Sequence, residues 1–201
     1  MEYGLLLQHI AKHIQLSEED KYYLLSLLQS KKLRRKTFLR QEGDITKAAV
    51  FVTSGLLRMY SIDKNGFEHI LQFAPPGWWI GDMKSYVTQQ PGSLYIDALE
   101  DSEILLLEKK HLDSLYEKVP AFERFFRILA EKSIATYQQR LIDNLSLPAI
   151  DRYTNFCRLY PSLIECLPQK QVAAYIGVTP EFLSKMLSQV PPQKQQADEN
   201  S

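Results

Sequence analysis

The segment PQKQVAAYIGVTPEFLSKML, Pro168–Leu187, decides the fold of the C-terminal part of the chain. The small pair Ala173–Ala174 in its first half allows a second helix to cross closely, and Gly177 supplies the positive φ that a tight turn between helices commonly needs. Thr179 is a good N-cap residue, and Pro180 suits the first position of a following helix. The segment therefore predicts two short helices joined by a tight turn.

The spacing of apolar residues in this segment is typical of a helix-turn-helix, which buries the inner faces of its two helices. The apolar positions are Val172, Ile176, Val178, Leu183 and Leu187. The second helix would then expose polar side chains near its N-terminus, where base edges are reached in the major groove of DNA. We take as candidate DNA-binding residues Thr179, Glu181, Ser184, Lys185 and Lys170. An ordinary αα-hairpin in a small helical domain is the alternative.

Upstream of this segment, the chain keeps a helical apolar period from Pro120 to about Asn144 without an internal Gly or Pro. Its apolar rows contain Phe122, Phe126 and Leu129, and then Phe125, Ile128, Ile134, Leu141 and Leu145. Such a helix is too apolar to be solvated on all sides, so it packs on its own domain. Its remaining apolar surface fits further core packing or a second copy of the chain equally well. Pro148 ends the helix.

The first half of the chain changes from helical to strand patterning. Residues 4–29 predict two short helices, with Ser17 as the N-cap of the second. Short β-rich runs follow, broken by turn residues, and Asn65-Gly66 indicates a hairpin. The predicted strands are Thr37–Arg40, Val50–Thr53, Leu56–Ile62, Phe67–Phe73, Leu94–Leu99 and Glu103–Leu107. This rhythm favours a β-roll or barrel, and the whole chain is predicted to be α+β.

The composition excludes several classes of protein. No stretch approaches the roughly 20 apolar residues of a membrane span, and no secretory signal is evident, so a cytoplasmic protein is expected. The two cysteines, Cys157 and Cys166, fit no zinc or redox motif. No nucleophile–base pair or phosphate-binding glycine loop is present, so we expect neither an enzyme nor a cofactor. His9 and His13 are interpreted as exposed surface histidines rather than metal ligands.

The chain as a whole resembles the Crp/Fnr superfamily of transcription regulators. The resemblance rests on Val50–Tyr60, Phe73–Asp82, Ala98–Ile104, the long helix and the Gly177–Lys185 segment, in that order. It implies a β-roll of the cyclic-nucleotide-binding type, a homodimer formed through the long helix, and binding to DNA under the control of an effector. The corresponding domains are a sensor over 1–119, a dimerisation helix over 120–146, a helix-turn-helix domain over 147–190 and a polar, disordered tail over 191–201.

The resemblance also indicates an effector pocket whose residues depart from the pattern of cyclic-nucleotide binders. Those relatives use a Gly-Glu pair for the ribose and, ten residues later, an Arg-Ser/Thr pair for the phosphate. Here Gly81-Asp82 and Gly92-Ser93 stand at these positions, so the arginine is missing. A buried phosphate without a cation is costly, so we do not expect cyclic AMP to bind tightly. The candidate pocket residues are Gly81, Asp82, Gly92, Ser93, Leu94, Gln138 and Gln139. A different small effector, or none, fits these residues.

Two features weigh against DNA binding. The net charge of the chain is zero, and from Leu147 onward five Lys and Arg residues are matched by five Asp and Glu residues. The family's wing hairpin should follow the second helix, but the sequence continues with a Pro-interrupted polar tail. The alternative function is therefore a β-roll ligand sensor or protein-interaction module that does not read DNA.

Overall fold

A computed structural model describes residues 3–189, which form eight α-helices and eight β-strands, and the predicted α+β class is confirmed. The helices are α1 (Gly4–Ala11), α2 (Glu18–Leu27), α3 (Met83–Thr88), α4 (Leu112–Lys118), α5 (Ala121–Ser146), α6 (Ala149–Leu159), α7 (Gln169–Ile176) and α8 (Pro180–Gln189). The strands are β1 (Leu28–Leu33), β2 (Phe38–Arg40), β3 (Ala48–Ser54), β4 (Leu57–Ile62), β5 (Glu68–Ala74), β6 (Trp79–Ile80), β7 (Tyr95–Ala98) and β8 (Ser102–Glu108).

The chain divides into two compact units, residues 1–138 and residues 139–201, and α5 begins in the first unit and ends in the second. The strands all lie in the first unit, and α6, α7 and α8 lie in the second. The predicted tail over 191–201, and with it the question of a wing after α8, falls outside the described residues.

Two four-stranded antiparallel sheets form the first unit, with the strand orders β1-β8-β3-β6 and β2-β7-β4-β5. Their facing sides enclose one apolar core, to which both sheets contribute: Leu33, Leu39, Val50, Val52, Leu57, Met59, Ala74, Ile80, Ile96, Ala98 and Ile104. The predicted hairpin between β4 and β5 is confirmed, and Gly66 has a φ of 82° in its turn. The roll inferred from short strands is thus present.

A second core lies on the other face of the first sheet. We call it the outer core, and the core between the two sheets the inner core. Side chains alternate along a strand. Val50 of β3 and Ile104 of β8 therefore point into the inner core, and their neighbours Phe51 and Leu105 point to the opposite face of the sheet. Helices α1, α2, α4 and the start of α5 cover this face with apolar side chains, and Phe125 of α5 is fully buried there. The central strands β3 and β8 of the first sheet are therefore buried on both sides, which explains the nearly continuous apolar run of β3.

Local signals in the sequence place the ends of several helices correctly. Ser17 forms a capping box with Asp20: the Ser17 hydroxyl accepts from the Asp20 amide at 3.1 Å, and the Ser17 amide donates to the Asp20 carboxylate at 3.0 Å. Ser146 is the last residue of α5, two positions before Pro148, as the sequence predicts. A satisfied N-cap such as Ser17 contributes about 1 kcal/mol to stability.

Candidate functional site

The turn between α7 and α8 has the geometry that its sequence predicts. Gly177 follows the last residue of α7 with a φ of 74°, and the carbonyl of Ala173 accepts from the amides of Gly177 and Val178. The hydroxyl of Thr179 accepts from the amide of Phe182 at 3.2 Å and so caps α8, whose first residue is Pro180. The predicted pair of helices and its turn are confirmed.

Helix α8 has one buried side and one exposed side. Leu183 is fully buried, whereas Glu181, Ser184 and Lys185 are exposed. Thr179 in the turn and Lys170 in the first turn of α7 are exposed as well, so all five candidate DNA-binding residues are accessible. Of the predicted inner positions, Val172, Ile176 and Leu183 are buried, and Val178 and Leu187 are half-buried. The exposed side of α8 therefore presents hydrogen-bond donors and acceptors to a polar ligand.

The end of α5 holds this helix pair through contacts that the sequence did not reveal. The guanidinium of Arg140 lies 3.8 Å from the ring centroid of Tyr175 in α7, and its Nη2 donates to the Tyr175 carbonyl at 2.7 Å. Asp143, which is buried, accepts from Gln139 Nε2 at 2.8 Å and from Asn155 Nδ2 of α6 at 2.9 Å. The last two turns of α5 are thus part of the core of the second unit.

Asp82, a candidate residue of the effector pocket, is buried, and its side chain already accepts a hydrogen bond within the protein. Its Oδ1 accepts from the amide of Ser85 at 3.0 Å, so Asp82 is the N-cap of the short helix α3. Its Oδ2 faces Gly92: a Cβ built on Gly92 would lie 2.5 Å from that oxygen. The Asp82 carboxylate therefore lies beside Gly92, the position that the resemblance assigns to binding the phosphate of a cyclic nucleotide.

Ser85 fixes the two ends of this loop. Its hydroxyl accepts from the Thr46 amide at 2.9 Å and donates to the Gln90 carbonyl at 2.7 Å. Gly92 exchanges backbone hydrogen bonds with the segment from Gly43 to Asp44, both at 2.9 Å. Ser85 was not singled out from the sequence. The available signal was Asp82, because an Asp N-cap accepts from the backbone amide three positions later, which here belongs to Ser85.

The other predicted pocket residues are less enclosed. Gly81 is half-buried, Ser93 is exposed, and Leu94 packs partly against the inner core of the roll. Gln138 is exposed, and the amide of Gln139 donates to Asp143 one turn along the same helix. Among these candidates, the structure brings Asp82 and Gly92 into contact.

Helix α5 changes character along its length. Phe122 and Phe125 are buried in the outer core, and Phe126 and Leu129 pack partly against it. Further along, the apolar side chains face outward: Ile134, Leu141 and Leu145 are 57%, 60% and 79% exposed. Their spacing of seven and four residues puts these three on one face of the helix. This part of α5 carries an apolar stripe that the described residues of its own chain leave exposed.

His9 and His13 are not the exposed surface pair that the sequence indicated. Both are half-buried, and the His9 ring packs against Phe51 and Phe125, with ring centroids 5.7 and 5.9 Å away. Burial, followed by the charges of His13 and nearby lysines, lowers the pKa of His9. Residues 3–189 contain no group of three potential metal-ligating side chains, and no helix among them is long and apolar enough to cross a membrane.

Comparison with known proteins links this architecture to a family. Residues 30–119 match the model of the cyclic nucleotide-binding domain. The anaerobic regulatory protein of Pasteurella multocida (strain Pm70) is 24% identical over 187 residues, which cover 87% of this chain and 68% of that protein.

Two solved structures share the fold. The c-di-GMP-responsive global regulator CLP of Xanthomonas campestris has a TM-score of 0.69 at 14% identity, over 86% of this chain and 90% of that one. FixK2 of Bradyrhizobium japonicum has a TM-score of 0.68 at 17% identity, over 81% and 83%. The predicted resemblance is confirmed: residues 30–119 match a cyclic nucleotide-binding domain, and regulators of the Crp/Fnr type are among the relatives and structural neighbours of the chain.

Proposed function

We propose that the protein is a homodimeric, sequence-specific DNA-binding regulator of transcription that reads DNA with α8. The observation that carries the proposal is the division of α8 into a buried side at Leu183 and an exposed side at Glu181, Ser184 and Lys185, held after a capped turn. A carboxylate can accept from the amino group of cytosine, and a lysine can donate to O6 and N7 of guanine. Such a role implies a cytoplasmic location.

The proposed dimer uses the exposed stripe of α5. Apolar side chains at Ile134, Leu141 and Leu145 are costly to leave in water, and a second copy of the same helix would bury them on both chains at once. A homodimer gives two copies of α8 and therefore reads two half-sites related by two-fold symmetry. Its operator should be an inverted repeat.

The proposed effector loop, from Gly81 to Leu94, is not suited to a cyclic nucleotide. None of its candidate pocket residues is a cation; Lys84 is exposed on α3, and Lys109 donates to the carbonyls of Tyr86 and Val87. The buried carboxylate of Asp82 would repel an anionic phosphate placed beside Gly92. Because Oδ1 of Asp82 already caps α3, binding of a ribose hydroxyl would compete with that cap. We infer that an effector of this loop, if the protein uses one, is not cyclic AMP.

The weak charge of the second unit favours one other function. In residues 147–189, the cations Arg152, Arg158, Lys170 and Lys185 stand against Asp151, Glu165 and Glu181. Attraction to phosphates from one subunit is therefore small, which fits a sensor or interaction module without DNA-reading activity.

Selection from a random duplex pool separates the two functions. Purified full-length protein is expected to enrich an inverted repeat at low salt. The selection is then repeated with Lys185→Ala and, as a control with the same charge change outside the second unit, with Lys64→Ala. Enrichment that is lost or altered only in Lys185→Ala supports the proposal. Absence of any enriched sequence favours the sensor or interaction module, and identical enrichment in all three proteins would mean that Lys185 does not contribute to reading DNA.

A further inference from the structure

We propose that a cavity between the end of α1 and the start of α5 binds a small anion carrying a phosphate group. The cavity measures about 400 Å³ and is open to solvent. Its wall consists of Ala11, Lys12, His13, Ile14, Gln15, Ala121 and Arg124. Two of these side chains, Lys12 and Arg124, are basic, and none is acidic. The site lies wholly within the first unit and shares no residue with the loop from Gly81 to Leu94.

Within the described part of the chain, the two basic side chains of this cavity are not engaged in ion pairs. Among the described residues, neither Lys12 nor Arg124 forms an ion pair, whereas Arg127, on the same helix, pairs with Glu131 at 2.7 Å. Lys132 of α5 also acts on this region, since its charge lowers the pKa of both His9 and His13. Cations collected around a concave surface focus a positive potential and raise the local concentration of anions.

The two histidines fit the same ligand. Burial is the largest cause that lowers the pKa of His13, followed by the charges of Lys132 and Lys12, so the ring is neutral near pH 7. Next to it, His9 is influenced by the same two lysines. A bound anion would offset the repulsion from the lysines and raise the pKa of His13, which could then donate to the anion in its charged form.

The size and charge of the cavity select the class of ligand. A volume of about 400 Å³ falls at the lower end of the range for small-molecule sites. A phosphate monoester carries close to two negative charges at neutral pH, which matches the two basic side chains on the wall. The amide of Gln15 and the positive N-terminal end of α5 at Ala121 add donors of suitable polarity.

The test follows the His13 ring by NMR while the full-length protein is titrated with inorganic phosphate, glycerol phosphate and, as a monovalent reference, acetate at constant ionic strength. Both phosphates are expected to produce saturable shifts and to raise the pKa of His13, and acetate to produce neither. Tighter binding of glycerol phosphate would favour a phosphate ester as the ligand, and tighter binding of inorganic phosphate would favour free phosphate.

The variants compare charges inside and outside the cavity. Lys12→Gln/Arg124→Gln is expected to weaken phosphate binding about tenfold, while Lys31→Gln/Arg35→Gln, which removes the same charges from positions outside the cavity, leaves it unchanged. If the first double variant does not fold, Lys12→Gln alone replaces it, with a smaller loss expected. Equal weakening in both double variants, or an unsaturable response of wild-type His13, would overturn the proposal.

Discussion

The guanidinium of Arg140 lies 3.8 Å from the ring centroid of Tyr175 and donates to the carbonyl oxygen of the same residue at 2.7 Å. One side chain of α5 thereby contacts both the ring and the backbone of a buried residue of α7. Tyr175 itself packs against Phe156 and Tyr160, so Arg140 closes an aromatic cluster at the centre of the second unit. The end of α5 supports the helix-turn-helix from within its own unit.

Replacement of Arg140 by Ala should destabilise the second unit by about 2 kcal/mol, because both the ring contact and a charge-assisted hydrogen bond are lost. Arg140→Lys keeps the charge but not the planar stack, so an intermediate loss is expected. Thermal unfolding followed by circular dichroism measures the effect. The control is Arg127→Ala, since the exposed pair of Arg127 with Glu131 contributes at most about 0.5 kcal/mol. Equal losses in both alanine variants would contradict this role.

Much of the architecture could be predicted because its signals are local. Ser17 caps α2, Asn65-Gly66 turns the hairpin, Gly177 adopts positive φ, and Thr179 caps α8. Strand β1 was missed because its residues, Leu28–Leu33, show no alternation: only Leu33 is buried, and pairing with the distant β8 makes it a strand. Such non-local pairing is invisible to a local pattern.

Charged groups inside the fold were missed for a similar reason. Arg58 of β4 is buried and forms ion pairs with Glu68 of the neighbouring strand β5 at 2.6 Å and with Asp97 of the more distant strand β7 at 2.8 Å. The predicted strand contained Arg58 without any indication of its partners. His9 likewise appeared to be a surface residue, because its neighbours Phe51 and Phe125 come from other parts of the chain. Long-range packing, rather than helical spacing, decides such environments.

The exposed stripe of α5 leads to a prediction about assembly. Leu141→Glu combined with Leu145→Glu should weaken the dimer at least tenfold, because two charges would face an apolar partner helix. Sedimentation at micromolar concentration is expected to show a dimer for the wild type and monomers for the double variant.

The control for this experiment is Thr136→Glu, which places a charge on the opposite side of the same helix and should leave the dimer intact. Charge at Phe126 or Leu129 has a different expected result: both residues pack against the outer core, so unfolding of the first unit should precede any effect on assembly. A wild-type protein that sediments as a monomer would remove the basis for a two-half-site operator.

An additional carbon at Gly92 should be destabilising. A Cβ would lie 2.5 Å from Asp82 Oδ2 and 3.2 Å from Ser85 Cβ, so the Asp82 side chain must shift, which disturbs its cap of α3. We expect Gly92→Ala to cost about 1–2 kcal/mol in thermal unfolding. Gly81→Ala is the matched control, since a Cβ there meets nothing within 4 Å, and its effect should stay within about 0.5 kcal/mol.

The same contact means that restoring the missing arginine is not sufficient to restore a cyclic-nucleotide site. Gly92→Arg would meet the same clash at its Cβ, so calorimetry should detect no submicromolar binding of cyclic AMP to that variant or to the wild type. Submicromolar binding to the wild type would show that another residue supplies the charge for the phosphate.

The final prediction concerns recognition of bases by α8. If Lys185 donates to a guanine, Lys185→Ala should cost about 1–3 kcal/mol on the selected operator and relax the preference at one position in each half-site. Glu181→Ala should relax a nearby cytosine preference with a smaller loss of total affinity, because a carboxylate near phosphates also repels them. Lys64→Ala, outside the second unit, should change neither preference.

The near-neutral charge of the second unit predicts few phosphate contacts and thus a shallow dependence of affinity on salt. Fluorescence anisotropy at two salt concentrations, with the operator and a scrambled duplex, measures all of these effects. Equal binding of both duplexes by the wild type and the α8 variants would mean that the helix pair is only a scaffold.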